Sequence, residues 1–347
     1  MAPRRLKKEG QLRRQSSHID PPTLQSTNRF PSTMSFVLLP DLVLEEIFKS
    51  LSMKEILFLT QTSLRARHRI SRHTKSHSIK IIVVDEKFER YVQIFHNHRE
   101  IFKILIKTKD KKYFDSLWRF QTVVPVRYEW NTLVSYWKRE VQGFQEILNY
   151  FNGLFLIEEV SFEFKQSNSH RIVPIVEYCF SKNLKIGSVD WPTFSESDEM
   201  TKRLLMASRG ARDLDIKGFN SPSTHFNHFH LLKIDRLHIR NASWMTAEQA
   251  VALRNCKKIS LGSVWLNEED INRILREYIK NPGELQELRM SCYNDIIVED
   301  MVKGLKIVRV NDGNMVRDSK YWFIAGGGIR FSAMRGWMGT IVIKRDP

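Results

Sequence analysis

A chain of 347 residues that is 42% hydrophobic and 27% charged holds enough apolar material for one large or two modest globular units. No apolar run approaches the roughly eighteen residues needed to span a bilayer, and Met1-Ala2-Pro3-Arg4-Arg5-Leu6-Lys7-Lys8 lacks the apolar core of a secretory signal, so an intracellular protein is expected, in cytoplasm and/or nucleus. Cys179, Cys256 and Cys292 make no metal-binding spacing and read as buried small hydrophobes. The net charge of +16 attracts nucleic acid, anionic lipid or acidic protein surfaces, and it is clustered. One cluster spans Arg4 to Arg14, a second holds Arg65, Arg67, Arg69, Arg72, Lys75 and Lys80, and a third runs from Lys103 to Lys112.

Residues 1–35 are rich in Pro, Ser, Thr, Gln and Arg, so they are expected to be a disordered basic tail, with nuclear import one reading of its charge. Next, Leu39-Pro40 starts a helix, because proline is tolerated mainly in a first turn. Leu44, Ile47, Phe48 and Leu51 then recur at helical spacing. Ser52 with Glu55 makes a capping box for a second helix with Ile56, Leu57 and Leu59, and a third segment covers about Ser63 to His73 with Leu64 and Ile70.

The ordered series Leu39-Pro40-x-x-Val43-Leu44-x-x-Ile47-Phe48-x-x-Leu51, followed by two short helices, resembles the F-box over roughly Phe36 to Lys75. The resemblance implies docking on a Skp-type adaptor of a cullin ubiquitin ligase. It places Leu39, Pro40, Leu42, Ile47, Phe48, Leu51, Leu57 and Leu64 at the adaptor or in the packing between the three helices. The alternative is a three-helix packing unit with no partner. The third helix departs from the family pattern, reading Thr62-Ser63-Leu64-Arg65 where a small residue and Lys-Arg or Trp are usual.

Ile79 to Val84 reads as a strand because its β-branched residues suit a pleated, half-buried surface. A helix over about Glu86 to His96, a strand at Ile101 to Ile106 and a helix over about Val141 to Tyr150 follow. The aromatic and basic stretch from Lys107 to Trp137 shows no clear period.

Beyond residue 155 a hydrophobic-x-hydrophobic pattern recurs at Val160-x-Phe162, Leu184-x-Ile186, Leu214-x-Ile216, Leu237-x-Ile239, Ile259-x-Leu261 and Leu288-x-Met290, at intervals of 24, 30, 23, 22 and 29 residues. Helical segments lie between: Ser169 to Phe180, Glu196 to Ser208, Thr246 to Asn255 and Asn267 to Lys280. This alternation predicts an irregular leucine-rich-repeat-like arc whose strands form a parallel sheet. Strands at Tyr321 to Ile324 and Gly339 to Lys344, after the turn dipeptide Asp312-Gly313, predict a C-terminal β-hairpin cap. The expected fold class is therefore α+β or α/β. Its segments are a tail at 1–35, three helices at 36–76, an α/β link at 77–154, repeats at 155–300 and the cap at 301–347.

Leu237 to Thr246, Leu253 to Leu261 and Leu266 to Asn272 are similar to the F-box-associated domain of type 2, which follows the F-box in a large nematode-expanded family. That resemblance runs from about Leu148 to the C-terminus and implies substrate recruitment. Lys185, Asp215, Lys217, His238, Arg240 and Ser260, beside the repeat strands, are candidate contacts to a protein substrate.

No pattern for catalysis, cofactor or metal stands out. Glu268-Glu269-Asp270 reads as an acidic first helical turn, His225 to His230 as a loop, and Gly326-Gly327-Gly328 as a hairpin turn lacking the features of a P-loop. The expectation is a non-catalytic substrate receptor of an SCF-type (Skp, cullin, F-box) ubiquitin ligase, with no cofactor, no metal and no membrane partner. Alternatives are a basic nucleic-acid-associated protein, with nucleic acid the weaker expectation as partner, and a non-degradative F-box interaction module.

Overall fold

The computed structural model describes residues 39–108, 114–165, 171–192, 198–218, 226–311 and 320–346. The expected tail at 1–35 and the dipeptide Asp312-Gly313 lie outside these. By contacts the chain divides into residues 1–39, of which Leu39 alone is described, and residues 40–347. The second unit is mixed α/β, with sixteen strands in one sheet and nine α-helices among the described residues.

It begins with three helices, α1 (Asp41–Ser50), α2 (Met53–Thr62) and α3 (Leu64–His73). Pro40 occupies the position before α1, and Ser52 and Glu55 form the capping box of α2. Then come β1 (Ser78–Asp85), β2 (Arg90–His96), β3 (Arg99–Lys107), β4 (Ser116–Arg119), β5 (Val123–Glu129) and β6 (Thr132–Tyr136). Strands alternate with helices thereafter: α4 (Glu140–Leu154), β7 (Leu156–Phe164), α5 (Val173–Ser181), β8 (Ile186–Trp191), α6 (Asp198–Ala207), β9 (Asp213–Ile216), β10 (Arg236–Ile239), α7 (Ala247–Ala252), β11 (Lys258–Val264), α8 (Glu268–Lys280) and β12 (Glu287–Cys292). After α9 (Val298–Met301) the chain closes with β13 (Arg309–Asn311), β14 (Lys320–Ile324), β15 (Arg330–Arg335) and β16 (Thr340–Arg345).

The strand order is β13-β14-β15-β16-β12-β11-β10-β9-β8-β7-β1-β2-β3-β6-β5-β4. From β1 through β7 to β12 every neighbour is parallel, as crossover helices require, and β12 to β13 is antiparallel throughout. The registers bring one residue from each of fourteen strands into a single transverse row: Tyr128, Leu133, Ile104, Val92, Val83, Phe162, Val189, Leu214, Leu237, Ile259, Leu288, Ile343, Ala333 and Tyr321. All but the half-buried Tyr128 are buried. Helices cover this face, α4 with Phe144, Ile147 and Phe151 and α8 with Ile271, Ile274 and Tyr278 among their buried side chains.

Three expectations are corrected. The segment Glu86 to His96 ends in strand β2, not helix, because Val92 and Ile94 alternate as core residues. Asn97 and His98, at φ 51° and 63°, then form the two-residue turn into β3. The described residues of the unassigned stretch 107–137 include β4, β5 and β6, and the expected C-terminal hairpin is a four-stranded antiparallel end that includes β13 and β15. In β8 the apolar residues that pair with β7 are Ile186 and Val189 rather than Leu184 and Ile186. The register shifts there, and Gly187 lies so close to β7 that a Cβ would stand 2.5 Å from Ser161 Oγ.

An aromatic joint ties the helices to the end of the sheet. Trp118 stacks on Phe102 at 5.9 Å, Phe58 of α2 meets Trp118 edge-on at 5.7 Å, and Phe120 meets Tyr150 of α4 edge-on at 5.3 Å. The buried Tyr150 hydroxyl bonds Thr60 and accepts from Gln61 Nε2 at 2.9 Å. Gln61 in turn accepts from the Arg119 amide at 2.8 Å, while Arg67 donates to the Phe120 carbonyl at 3.0 Å and to that of Arg119. Gln61 and Arg67 thereby satisfy the outward amide and carbonyl of Arg119 on the edge strand β4, which would otherwise be open to another strand.

Phe162 sits in the middle of the transverse row and is fully buried. Phe162→Ala is expected to lower unfolding free energy by about 3–5 kcal/mol, read from urea denaturation, because the neighbouring strands cannot collapse into the space. A loss below about 1 kcal/mol would show that the row is not the core.

Candidate docking surfaces

In the helical unit, the structure separates packing residues from outward ones. Leu44, Phe48, Ile56, Leu57, Ala66 and Ile70 are buried and hold the helices together. Phe48 lies 5.8 Å from the His73 ring, and Asp41 pairs with Arg69 at 2.5 Å, so α1 is fastened to α3 by both apolar and charged contacts. Leu42 remains 77% exposed and Leu64 56% exposed, with Val43 and Pro40 exposed as well. Ile47 and Leu51 are half-buried. Of the residues predicted for an adaptor, Phe48 and Leu57 are thus internal, Pro40, Leu42 and Leu64 face outward, and Ile47 and Leu51 stand between. Leu39 belongs to the first unit.

Most of the second basic cluster is engaged within the protein. Arg67 bonds the carbonyls of Arg119 and Phe120, Arg69 pairs with Asp41, Lys75 bonds the Asn152 carbonyl, and Lys80 lies 3.3 Å from Glu159. Lys103 of the third cluster sits over the Tyr91 ring at 3.8 Å and pairs with Glu89.

The face of the sheet opposite the helices is polar from β8 onward. Asp190, Asp215, His238, Ser260 and Arg289 form one transverse row, and Asp213, Arg236, Lys258, Glu287 and Lys344 form the next. Asp215, His238 and Ser260 are therefore direct neighbours, with His238 Nδ1 3.0 Å from Asp215. Lys217 and Arg240 follow the C-terminal ends of β9 and β10, and Lys217 pairs with Asp190. Lys185 precedes β8, at the opposite end of the parallel strands, and is separated from the other five.

Charges at the centre of this face are mutually satisfied. Arg236 bonds Asp213 at 2.7 Å, and Arg212 bridges Asp213 at 2.9 Å and Glu159 at 2.6 Å. Burial pushes the Asp213 carboxyl up, but hydrogen bonds from Arg236 and Arg212, with their charge, outweigh it and hold the group below its ordinary range.

A different feature of this face has no counterpart among the predicted site residues. Where β11 meets β12, Leu261 pairs with Met290 and Val264 with Cys292, so Gly262 and Ser263 together oppose Ser291. This bulge shifts the alternation by one. Val264 turns into the core and Trp265 emerges, stacked on Tyr293 at 4.6 Å. Only glycine fits at 262, because a Cβ would come within 2.2 Å of the Arg240 carbonyl oxygen, and Ser263 takes a left-handed φ of 54°. Tyr293 is one wall of a cleft of about 790 Å³. Trp337 and Met338, in the turn before β16 and 87% and 80% exposed, are the other. At its base Arg335 pairs with Asp295 and donates to the Ile296 carbonyl at 3.2 Å. The available signal was the aromatic residue directly after each of two repeat strands, Trp265 and Tyr293.

Burial raises the Cys179 thiol to about 12 and those of Cys256 and Cys292 to about 11, far from the range of a reactive thiolate. Among the described residues no group of three or more His, Cys, Asp or Glu is placed to hold a metal, and no helix is long and apolar enough to cross a membrane. His225 lies outside the described residues.

The chain is similar to the Skn-1 dependent zygotic transcript 15 protein of Caenorhabditis elegans, with 22% identity over 262 residues, covering 71% of this chain and 75% of that protein. No family model matches the chain, and no solved structure matches it.

The Asp213 network has a pH signature. Its folded value is depressed, so its stabilisation is present above about pH 4 and is lost as pH falls through the folded value. In denaturation series from about pH 6 to about pH 3, the wild-type chain should lose more stability than Asp213→Asn; equal losses would exclude this carboxylate as a source of acid sensitivity.

Proposed function

We propose that this chain is a substrate-recognition subunit of an SCF-type ubiquitin ligase. In this reading α1–α3 dock on a Skp-type adaptor, and through it a cullin, while the sheet-bearing remainder holds a protein substrate. The observation that carries the proposal is the pairing of the F-box-like series with its spatial arrangement. Leu44, Phe48, Leu57 and Ile70 are buried, yet Pro40, Leu42, Val43 and Leu64 are left in solvent. Large apolar side chains clustered in a short segment and kept out of its own core suit a partner interface.

The resemblance of the rest of the chain to the F-box-associated domain of type 2 supports the second half of the reading. The name of the C. elegans relative states dependence on Skn-1 and no biochemical activity. The subunit would contribute no chemistry of its own. It would raise the effective concentration of a substrate near the transferring end of the ligase. The nucleic-acid reading draws less support, since Arg67, Arg69, Lys75 and Lys80 are engaged by carbonyls and carboxylates of the same chain.

Because Leu42 and Leu64 are exposed, Leu42→Glu/Leu64→Glu should leave the fold intact, as judged by an unchanged thermal midpoint. It should weaken co-purification with the Skp-type adaptor by about tenfold or more, as loss of interface anchors does. Failure of the wild-type chain to bind the adaptor in the same assay overturns the proposal.

A further inference from the structure

The open face of the sheet is not uniform in charge. Toward β8 and β9, acids and bases neutralise each other. Toward β12 and β16 they do not. Lys258 and Lys344 flank Glu287 in register, both exposed, and neither has a carboxylate partner among the described residues. Arg289 in the next row pairs with that same Glu287, so three cations share one acid. Directly beyond them along the strands, Ser260, Gly262, Ser291 and Thr340 leave a low floor, with Ser291 and Thr340 hydroxyls 3.4 Å apart. The floor ends at the cleft between Tyr293 and Trp337, with Trp265 stacked behind Tyr293.

We infer that this corner, formed by β11, β12 and β16, is a docking site for an acidic protein segment that seats a bulky apolar side chain between Tyr293 and Trp337 and lays its carboxylates over Lys258, Arg289 and Lys344. The inference rests on the reading that this unit captures a protein, and it moves the capture site away from Asp215 and His238. Charge complementarity selects the occupant: the floor is net positive within a chain of charge +16, which draws in and orients an acidic segment. Exposed Trp and Tyr beside a cleft are the residue types that dominate binding energy at protein interfaces. A nucleic acid fits less well. Glu287 interrupts the cations, which breaks the continuous positive track that a phosphate backbone needs, and Trp265 and Tyr293 spend one ring face on each other.

The test is selection of a phage-displayed library of random dodecapeptides on the full chain without adaptor, so that failure of the adaptor reading leaves it untouched. Enriched peptides should carry several Asp or Glu and one aromatic or large aliphatic residue. By fluorescence polarisation their affinity should fall about tenfold with Trp337→Ala and about tenfold with Lys258→Glu/Lys344→Glu, and be unchanged with Lys202→Glu on α6. The charge variant should also flatten the salt dependence of binding. Trp337 is nearly fully exposed, so its variant should keep the wild-type circular dichroism spectrum. Several results overturn the inference: no enrichment, enrichment without acidic bias, equal binding by both variants, or displacement of the peptides by poly(U) RNA. Self-association of the wild-type chain in sedimentation equilibrium that Trp337→Ala abolishes assigns the cleft to a second copy and overturns it too.

Discussion

A strand presents alternate residues to opposite faces, so a sheet with helices on one side must keep one parity in register across every strand. Here that requirement extends over a row from Tyr128 in β5 to Tyr321 in β14, through parallel and antiparallel neighbours alike. A slip of one residue in β10, for example, would expel Leu237 and bury Arg236 or His238. At four places a strand has a residue too many for this rule: Glu158 in β7, Ile101 in β3, and one residue each in β8 and β11. The last two are resolved by bulges with glycine at the close approach, Gly187 against Ser161 and Gly262 against Arg240. The position of every side chain on the polar face is inherited from the same parity.

The helical unit is bound to this frame unevenly. The middle and last helices are held by Tyr150, Gln61 and Arg67, which tie them to α4 and to the terminal strand, and by Thr74, which donates to the Leu154 carbonyl at 2.7 Å. The first helix packs chiefly on α3 through Leu44 and Phe48. Of the outward residues, Leu64 thus stands on a helix fastened to the sheet, whereas Leu42 and Val43 stand on one that reaches it through α3.

Much of the fold was legible in sequence for a physical reason. Parallel strands buried on one face need apolar residues two apart, and crossover helices set the spacing between them, so the motifs at Phe162, Leu214, Leu237, Ile259 and Leu288 mark real strands. The segment around Val92 misled because a hairpin strand with His, Asn and charged neighbours also offers helical spacing, and only the Asn97-His98 turn decides. Residues 107–137 resisted because their aromatics serve a three-way joint, Trp118 and Phe120 facing two helices and a strand at once, which leaves no single period. Among candidate contacts, Asp215, His238 and Ser260 could be aligned from the repeat spacing alone. The division of Leu42 from Leu44, or of Leu64 from Ile70, could not, because helical periodicity marks a stripe without telling which neighbour covers it.

The bulge at Gly262 and Ser263 makes the β11–β12 corner depend on one backbone contact. Its extra residue lets Leu261 and Val264, three apart, both turn inward, and so brings Trp265 out against Tyr293. A straightened β11 of the same length would bury Trp265 and expose Val264. The bulge in turn needs a residue without a side chain at 262, because a Cβ there would meet the Arg240 carbonyl oxygen. The exposure of this aromatic pair is thus set by an atom of the neighbouring chain segment and not by either aromatic residue.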